Sequence, residues 1–307
     1  MTKSDMRHSR EACPHESGER GSIIFFVSKY SHPVSSIKNM FWKRVVSAII
    51  FAAVVILVIQ KGGLWGFLIL ISFVVVLSTL EFSGLTIPKG NSLLLFFSIP
   101  INLLFCSSPL KPDWINVNPI LCLAIVLPFI YEIIRRKPHS ALPNISSFTL
   151  CILYVGWLFG RHLILIRQMS DGINLIYLLV GITWCSDIGA YLIGKKFGKH
   201  KIIPAISPSK SLEGYIGGLI FGIAISLALC FWLLPDIKPF HAVIMGLILT
   251  IIGQIGDLAE SILKRGANVK DSGKLMPGHG GILDRCDSLI FITPALYYYC
   301  IYVLHLS

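Results

Sequence analysis

The chain has 307 residues, 54% of them hydrophobic and only 14% charged, with a mean hydropathy of +0.73. A soluble domain carries roughly 25% charged residues, so this balance excludes a soluble globular protein and defines a polytopic integral membrane protein. The net charge of +11 does not call for nucleic acid, because the basic residues sit between apolar runs, where they orient spans and face anionic lipid.

Residues 1–40 are polar and mixed in charge, and their short apolar run at 23–27 is too brief for the core of a signal peptide. This segment reads as a loosely ordered tail. Apolar segments near the ~20 residues needed to cross a bilayer follow at 41–59, 64–82, 92–107, 118–134, 148–166, 173–194, 214–234, 241–259 and 288–305. The expected fold is all-α, with about nine transmembrane helices. The third and fourth runs are short or interrupted by Pro100 and Pro128. Three regions result: the tail, transmembrane helices over 41–172, and a region over 173–307 with two charged loops. Eight cysteines include no C-x-x-C pair, and most lie inside apolar runs, so neither a disulfide framework nor a zinc site is expected.

Nine spans with a cytoplasmic N-terminus put 22 of the 27 Lys and Arg residues on the cytoplasmic side and five outside. That bias is the one that orients membrane proteins. The inner ends of three spans then carry carboxylates: Asp187 in the sixth, Asp257 and Glu260 in the eighth, Asp284 and Asp287 at the start of the ninth. Charge is expensive near a bilayer, so such a concentration points to a charged substrate.

Between the sixth and seventh spans the chain reads G-K-K-F-G-K over 194–199, then S-P-S-K-S-L-E-G over 207–214. Glycine and lysine at close spacing suit a phosphate, and Ser211 opens a helix whose N-terminus favours an anion. Basic charge that orients the spans, with a helix cap at Ser211, accounts for the same residues equally well. Between the eighth and ninth spans, residues 257–287 hold five acidic residues, five basic ones and the turn Gly278-His279-Gly280-Gly281. Glycines let backbone N–H groups approach an anion. Asp284 and Asp287 share a helix face, and with Asp257 could give three oxygen ligands to Mg²⁺. The plainer account is two carboxylates at a helix start, where the dipole favours them. No Ser-His-Asp arrangement, H-E-x-x-H or Walker A motif is present.

In this second loop the residues resemble the signature of the phosphatidate cytidylyltransferases (CDP-diacylglycerol synthases). The match runs without a gap through Ser261, Lys264-Arg265, Lys270-Asp271, Gly273, Met276-Pro277, His279-Gly280-Gly281, Asp284-Arg285 and Asp287. Upstream, Asp187, Ala190, Tyr191 and Gly194 look like a second family element, and Ser207 to Gly214 like a third, with Ser209 and Leu212 departing from common family choices. The likeness covers roughly 41–305. It implies transfer of the cytidylyl group of CTP to phosphatidate, giving CDP-diacylglycerol and pyrophosphate. Asp257, Asp284 and Asp287 look like the Mg²⁺ carboxylates, with K⁺ as the candidate second ion nearby. Lys264, Arg265, Lys270, Asp271, His279 and Arg285 complete the expected catalytic set. Asp187, Lys199, Ser207, Lys210, Ser211, Glu213, Gly280 and Gly281 are the expected substrate- and phosphate-binding residues. The expected partners are CTP and phosphatidate held in the bilayer, with a homodimer compatible with this reading. The expected location is a bacterial inner membrane, the site facing the cytoplasm.

Two alternatives remain at this stage. One is a cytidylyltransferase that uses another lipid phosphate. The other is a transporter of an anionic solute, whose charges would sit near the bilayer midplane between repeats; here they gather at one surface, and no internal repeat is evident.

Overall fold

A computed structural model describes residues 55–86, 92–111, 115–273 and 280–306. These residues are helical throughout, apart from turns and one isolated β-bridge between Lys201 and Ser211. An apolar chain in lipid must satisfy its backbone polar groups internally, and helices do so within a single segment. In chain order the helices are α1 (Gly63–Thr86), α2 (Ser92–Ser107), α3 (Val117–Arg135), α4 (Pro138–Cys151), α5 (His162–Gln168), α6 (Gly172–Phe197), α7 (Leu212–Leu233), α8 (Pro239–Gly266) and α9 (Leu283–Tyr302). A π-helical stretch, Ile152–Arg161, joins α4 to α5, so that Pro138–Gln168 runs as one apolar rod.

Six of these segments are long and apolar enough to cross a membrane: α1, α3, the Pro138–Gln168 rod, α6, α7 and α8. The other three expected spans fare differently. The run at 41–59 lies mostly outside the described residues, although 55–61 are helical. Helix α2 has only 16 residues. Helix α9 has 20 residues but carries Asp284, Arg285 and Asp287 in its first five. The 1–40 tail lies outside the described residues.

One apolar core joins Val75 and Phe82 of α1 to Leu175 and Leu179 of α6, Leu249 of α8 and Leu283 of α9. A smaller cluster, including Phe105, Ile120 and Phe148, packs α2, α3 and α4. Helices α6 and α7 lie close because small residues line their seam: a Cβ added at Gly217 would come 2.5 Å from Ile193 and 2.9 Å from the Gly189 carbonyl oxygen.

Polar contacts separate the two ends of the bundle. At one end Asn174 donates to the Leu233 carbonyl at 3.0 Å, and His241 Nδ1 lies 2.9 Å from Tyr299 Oη. At the other end gather the acidic and basic groups of α6–α9. Helices α6 and α7, and α8 and α9, thus run in opposite directions, as the sequence predicts.

Candidate active site

The first loop is folded by its own hydrogen bonds. Glu213, in the first turn of α7, turns back to accept from the backbone N–H groups of Lys199 at 3.1 Å and His200 at 3.3 Å, and its Oε1 lies 2.6 Å from His200 Nδ1. Ser211 caps α7, its hydroxyl oxygen accepting from Gly214 N–H at 3.2 Å. Leu212 N–H donates to the His200 carbonyl at 2.9 Å. With both arms of the loop pinned, Lys210 is aimed at α8, where its Nζ lies 2.5 Å from Asp257 Oδ2.

That pair lines a cavity of about 490 Å³. Asp187, Tyr191 and Lys195 reach it from α6, Lys201 and Ser209 from the loop, Tyr215 from α7 and Gln254 from α8. Gln254 donates to the Tyr215 carbonyl at 3.1 Å, fixing α7 against α8 beside the cavity. The cavity thus has acidic and basic walls, with two tyrosines between them.

A second constellation joins α8 to α9. Lys264 Nζ lies 2.6 Å from Asp284 Oδ1 and 3.5 Å from Glu260 Oε1, and all three side chains are nearly closed to solvent. Asp284 Oδ2 accepts from Ser272 N–H at 2.9 Å and Gly281 N–H at 2.8 Å. Asp284 precedes the apolar run that begins at Ser288. Burial acts to raise its carboxyl, but the Lys264 ammonium and the N–H groups of Gly281 and Ser272 outweigh that effect. They hold it below the usual carboxylate range, so it is ionised at neutral pH. Asp287, one turn further, interacts electrostatically with Asp257, Asp187 and Lys264, which links this constellation to the cavity.

Several sequence-predicted residues converge here: Asp187, Lys210, Ser211 and Asp257 at the cavity, and Lys264, Gly281, Asp284 and Asp287 beside it. Gly280 has φ +82°, and a Cβ there would approach Asp284 Oδ2 to 2.8 Å, so the turn requires glycine. Others are placed differently. Arg265 turns away from the carboxylates and donates to the carbonyls of Ile206 at 3.2 Å and Val269 at 3.0 Å, bracing one loop on the other. Glu213 and Ser207 shape the first loop rather than line its cavity. Lys199, Lys270 and Asp271 are exposed outside the cavity wall, and Arg285 is exposed on the first turn of α9. His279 lies outside the described residues.

Every candidate metal ligand is a carboxylate, the donor type of a hard divalent cation that keeps waters and accepts phosphate oxygens. Among the described residues no three Asp, Glu, His or Cys side chains converge tightly enough to hold an ion unaided. Lysines stand beside two of the three expected ligands, Lys210 at Asp257 and Lys264 at Asp284. Glu260 is fully buried, with Lys264 Nζ 3.5 Å from its Oε1 and Asp287 and Asp284 nearby. A set of carboxylates with lysines beside it fits Mg²⁺ and phosphate oxygens in donor type.

A polar cavity lies at one end of an apolar helical bundle, walled by paired acids and bases. The chain belongs to the cytidylyltransferase family, whose model matches residues 42–303. It is similar to proteins named phosphatidate cytidylyltransferase. One from Bacillus subtilis (strain 168) is 38% identical over 212 residues, 68% of this chain and 76% of the relative. Those from Staphylococcus saprophyticus and Staphylococcus aureus (strain COL) are each 34% identical over 262 residues, 82% of this chain and 96% of theirs. The chain is accordingly a membrane-embedded nucleotidyltransferase.

Proposed function

We propose that this protein transfers the cytidylyl group of CTP to phosphatidate, releasing pyrophosphate. The observation that carries this reading is the pair of lysine–carboxylate contacts, Lys210–Asp257 and Lys264–Asp284, at one end of a lipid-facing bundle. They set cations and anions side by side where a soluble nucleotide and a lipid headgroup can meet. An oxygen of the lipid phosphate attacks the α-phosphorus of CTP. The bond from that phosphorus to the bridging oxygen of the β-phosphate breaks, and pyrophosphate departs with its electron pair. No covalent enzyme intermediate is needed, so the residues act by position and charge.

Asp257, Asp284 and Asp287 are the residues that would hold Mg²⁺, which when bound supplies neutralisation of phosphoryl oxygens and a template for in-line geometry. Lys210 and Lys264, which otherwise balance two of these carboxylates, then turn their charge to substrate phosphate. The helix N-terminus at Ser211 adds positive potential on the cavity side.

The test is a purified preparation in mixed micelles with labelled CTP. Pyrophosphate release and a labelled CDP-lipid are expected, both requiring phosphatidate and both abolished by chelating the divalent ion. Absence of either product above background sinks the assignment. Product from another lipid phosphate, such as an ether lipid, but not from phosphatidate moves it to a related cytidylyltransferase.

The active site faces the cytoplasm of a bacterial inner membrane in this reading, where CTP is made. Lys199→Cys and Lys270→Cys, on a background lacking native cysteines, are expected to resist an impermeant thiol reagent in right-side-out vesicles. Both are expected to label once the membrane is permeabilised. Labelling from outside at either position reverses the topology.

A further inference from the structure

Helix α1 reaches the second constellation with a carboxylate that neither the motif reading nor the family signature includes. Glu81 lies near the end of α1 and is only 6% exposed. A carboxylate buried beside lipid is costly unless hydrogen bonds satisfy it. Glu81 has three donors, all about 200 residues away in the chain: Ile282 N–H to Oε1 at 3.1 Å, Leu283 N–H to Oε2 at 2.8 Å, and the Ser272 hydroxyl at 3.0 Å from Oε2.

Two of these donors are the backbone N–H groups that open α9. The first N–H groups of a helix have no partner within it. The N-cap residue of α9 is Ile282, whose side chain offers no acceptor. Glu81 therefore caps α9 from another helix and places negative charge at its positive end. The third donor binds it to the loop. The Ser272 hydroxyl also lies 3.0 Å from Asp284 Oδ2, and with one proton it serves one carboxylate at a time. Glu81 and Asp284 thus hold the two ends of the 272–281 segment between them, Glu81 from the bundle side and Asp284 from the Lys264 side.

Two glycines record how tightly this is built. A Cβ added at Gly273 would strike Glu81 Oε1, and one at Gly281 would strike both Ser272 Oγ and Glu81 Oε2. At Gly273 and Gly281 the chain meets Glu81 with no room for a side chain. The fit is specific to a carboxylate as well. Both oxygens accept from N–H or O–H donors, so a side-chain amide must turn its NH₂ against at least one of them.

We propose that Glu81 is a positioning residue for nucleotidyl transfer: by fixing the first turn of α9 and the ends of the 272–281 segment, it sets the orientation of Asp284 and Asp287. It touches neither substrate in this role. The inference rests on the cytidylyltransferase reading above, so wild-type protein is assayed in parallel: an inactive wild type refutes that reading, whereas an active one leaves Glu81 to be judged separately.

Three variants test it: Glu81→Gln, Ser272→Ala and the double substitution. Glu81→Gln is expected to lower kcat at least about tenfold, with the KM for CTP within about threefold of wild type, because binding groups on α6 and the first loop are untouched. Ser272→Ala is expected to lower kcat less. Because both act through one hydrogen-bonded unit, the double variant is expected to fall no further than Glu81→Gln alone. A capping residue with a purely structural role would instead lower the thermal midpoint and the amount of active protein, leaving kcat per folded molecule unchanged. A Glu81→Gln enzyme with kcat within twofold of wild type overturns the proposal, as does a double variant whose losses multiply. Should Glu81→Gln not accumulate in the membrane, Ser272→Ala decides alone: reduced kcat at a wild-type thermal midpoint supports the role, and unchanged kcat overturns it.

Discussion

Asp257→Asn and Asp287→Asn, made separately, are each expected to lower kcat at least about 100-fold, a loss of about 2.7 kcal/mol in transition-state stabilisation. Neither change alters side-chain shape, and both remove negative charge from the meeting point of α8 and α9. Asp257 is one-third open and faces the cavity, so the amide leaves the fold intact and the protein inserts normally. The loss belongs to chemistry for two reasons. The variant keeps an oxygen that can accept from Lys210, so the lysine stays near its place. What disappears is the charge that balances a cation against the phosphates. Turnover of labelled CTP by detergent-purified protein, normalised to monodisperse material on gel filtration, gives the comparison. Retention of more than about a tenth of wild-type kcat in both variants removes these carboxylates from the reacting centre.

The helices of the second half were legible because apolar runs set their length. The runs at 173–194 and 214–234 became α6 and α7 with ends shifted by three residues or fewer. The run at 241–259 became a helix ending at Gly266. Hydropathy marks where the apolar run ends, whereas the helix continues past it and carries Glu260, Lys264 and Arg265 on its last two turns. The run at 148–166 belongs to a rod beginning at Pro138. Proline is tolerated in a first helical turn, and the polar residues that follow it hid the extension.

Within the site, the motif led to Asp257, Lys264 and Asp284 because their spacing along two helices brings them to one end. Spacing does not report which way a long side chain turns. Arg265 sits beside Lys264 in sequence, yet its guanidinium goes to loop carbonyls. Glu81 escaped for the opposite reason. It is a single acidic residue inside an apolar run, with partners some 200 residues on, and no local pattern can register that pairing. The available signal was the rule that an ionisable group within a membrane helix has a partner and a purpose. Lys201, Tyr215 and Gln254 line the cavity through folding of the loop and the α7–α8 contact, and nothing in their spacing announces it.

Lys264→Met is expected to be the most damaging single change to the fold as well as to activity. Lys264 is 12% exposed, Glu260 is 0% and Asp284 is 10%, so the ammonium is the cation facing two buried carboxylates. Removing one partner of a buried charge group leaves uncompensated charge in a poorly solvated place, which costs about 3 kcal/mol or more. Methionine keeps most of the volume, so the effect is electrostatic rather than a cavity. The thermal midpoint in detergent falls by several degrees, and nucleotidyl transfer drops below about 1% of wild type, equivalent to about 2.7 kcal/mol or more. The two losses are separable. Glu260→Gln in the same background removes a second acidic group from beside Asp284, and is expected to restore part of the midpoint. It restores no activity, because Asp284 has still lost the cation that holds it and the reaction has lost a phosphate-facing charge. A Lys264→Met protein that melts with wild type would show that solvent already balances the two carboxylates. A double variant that regains turnover would show that Lys264 serves folding alone.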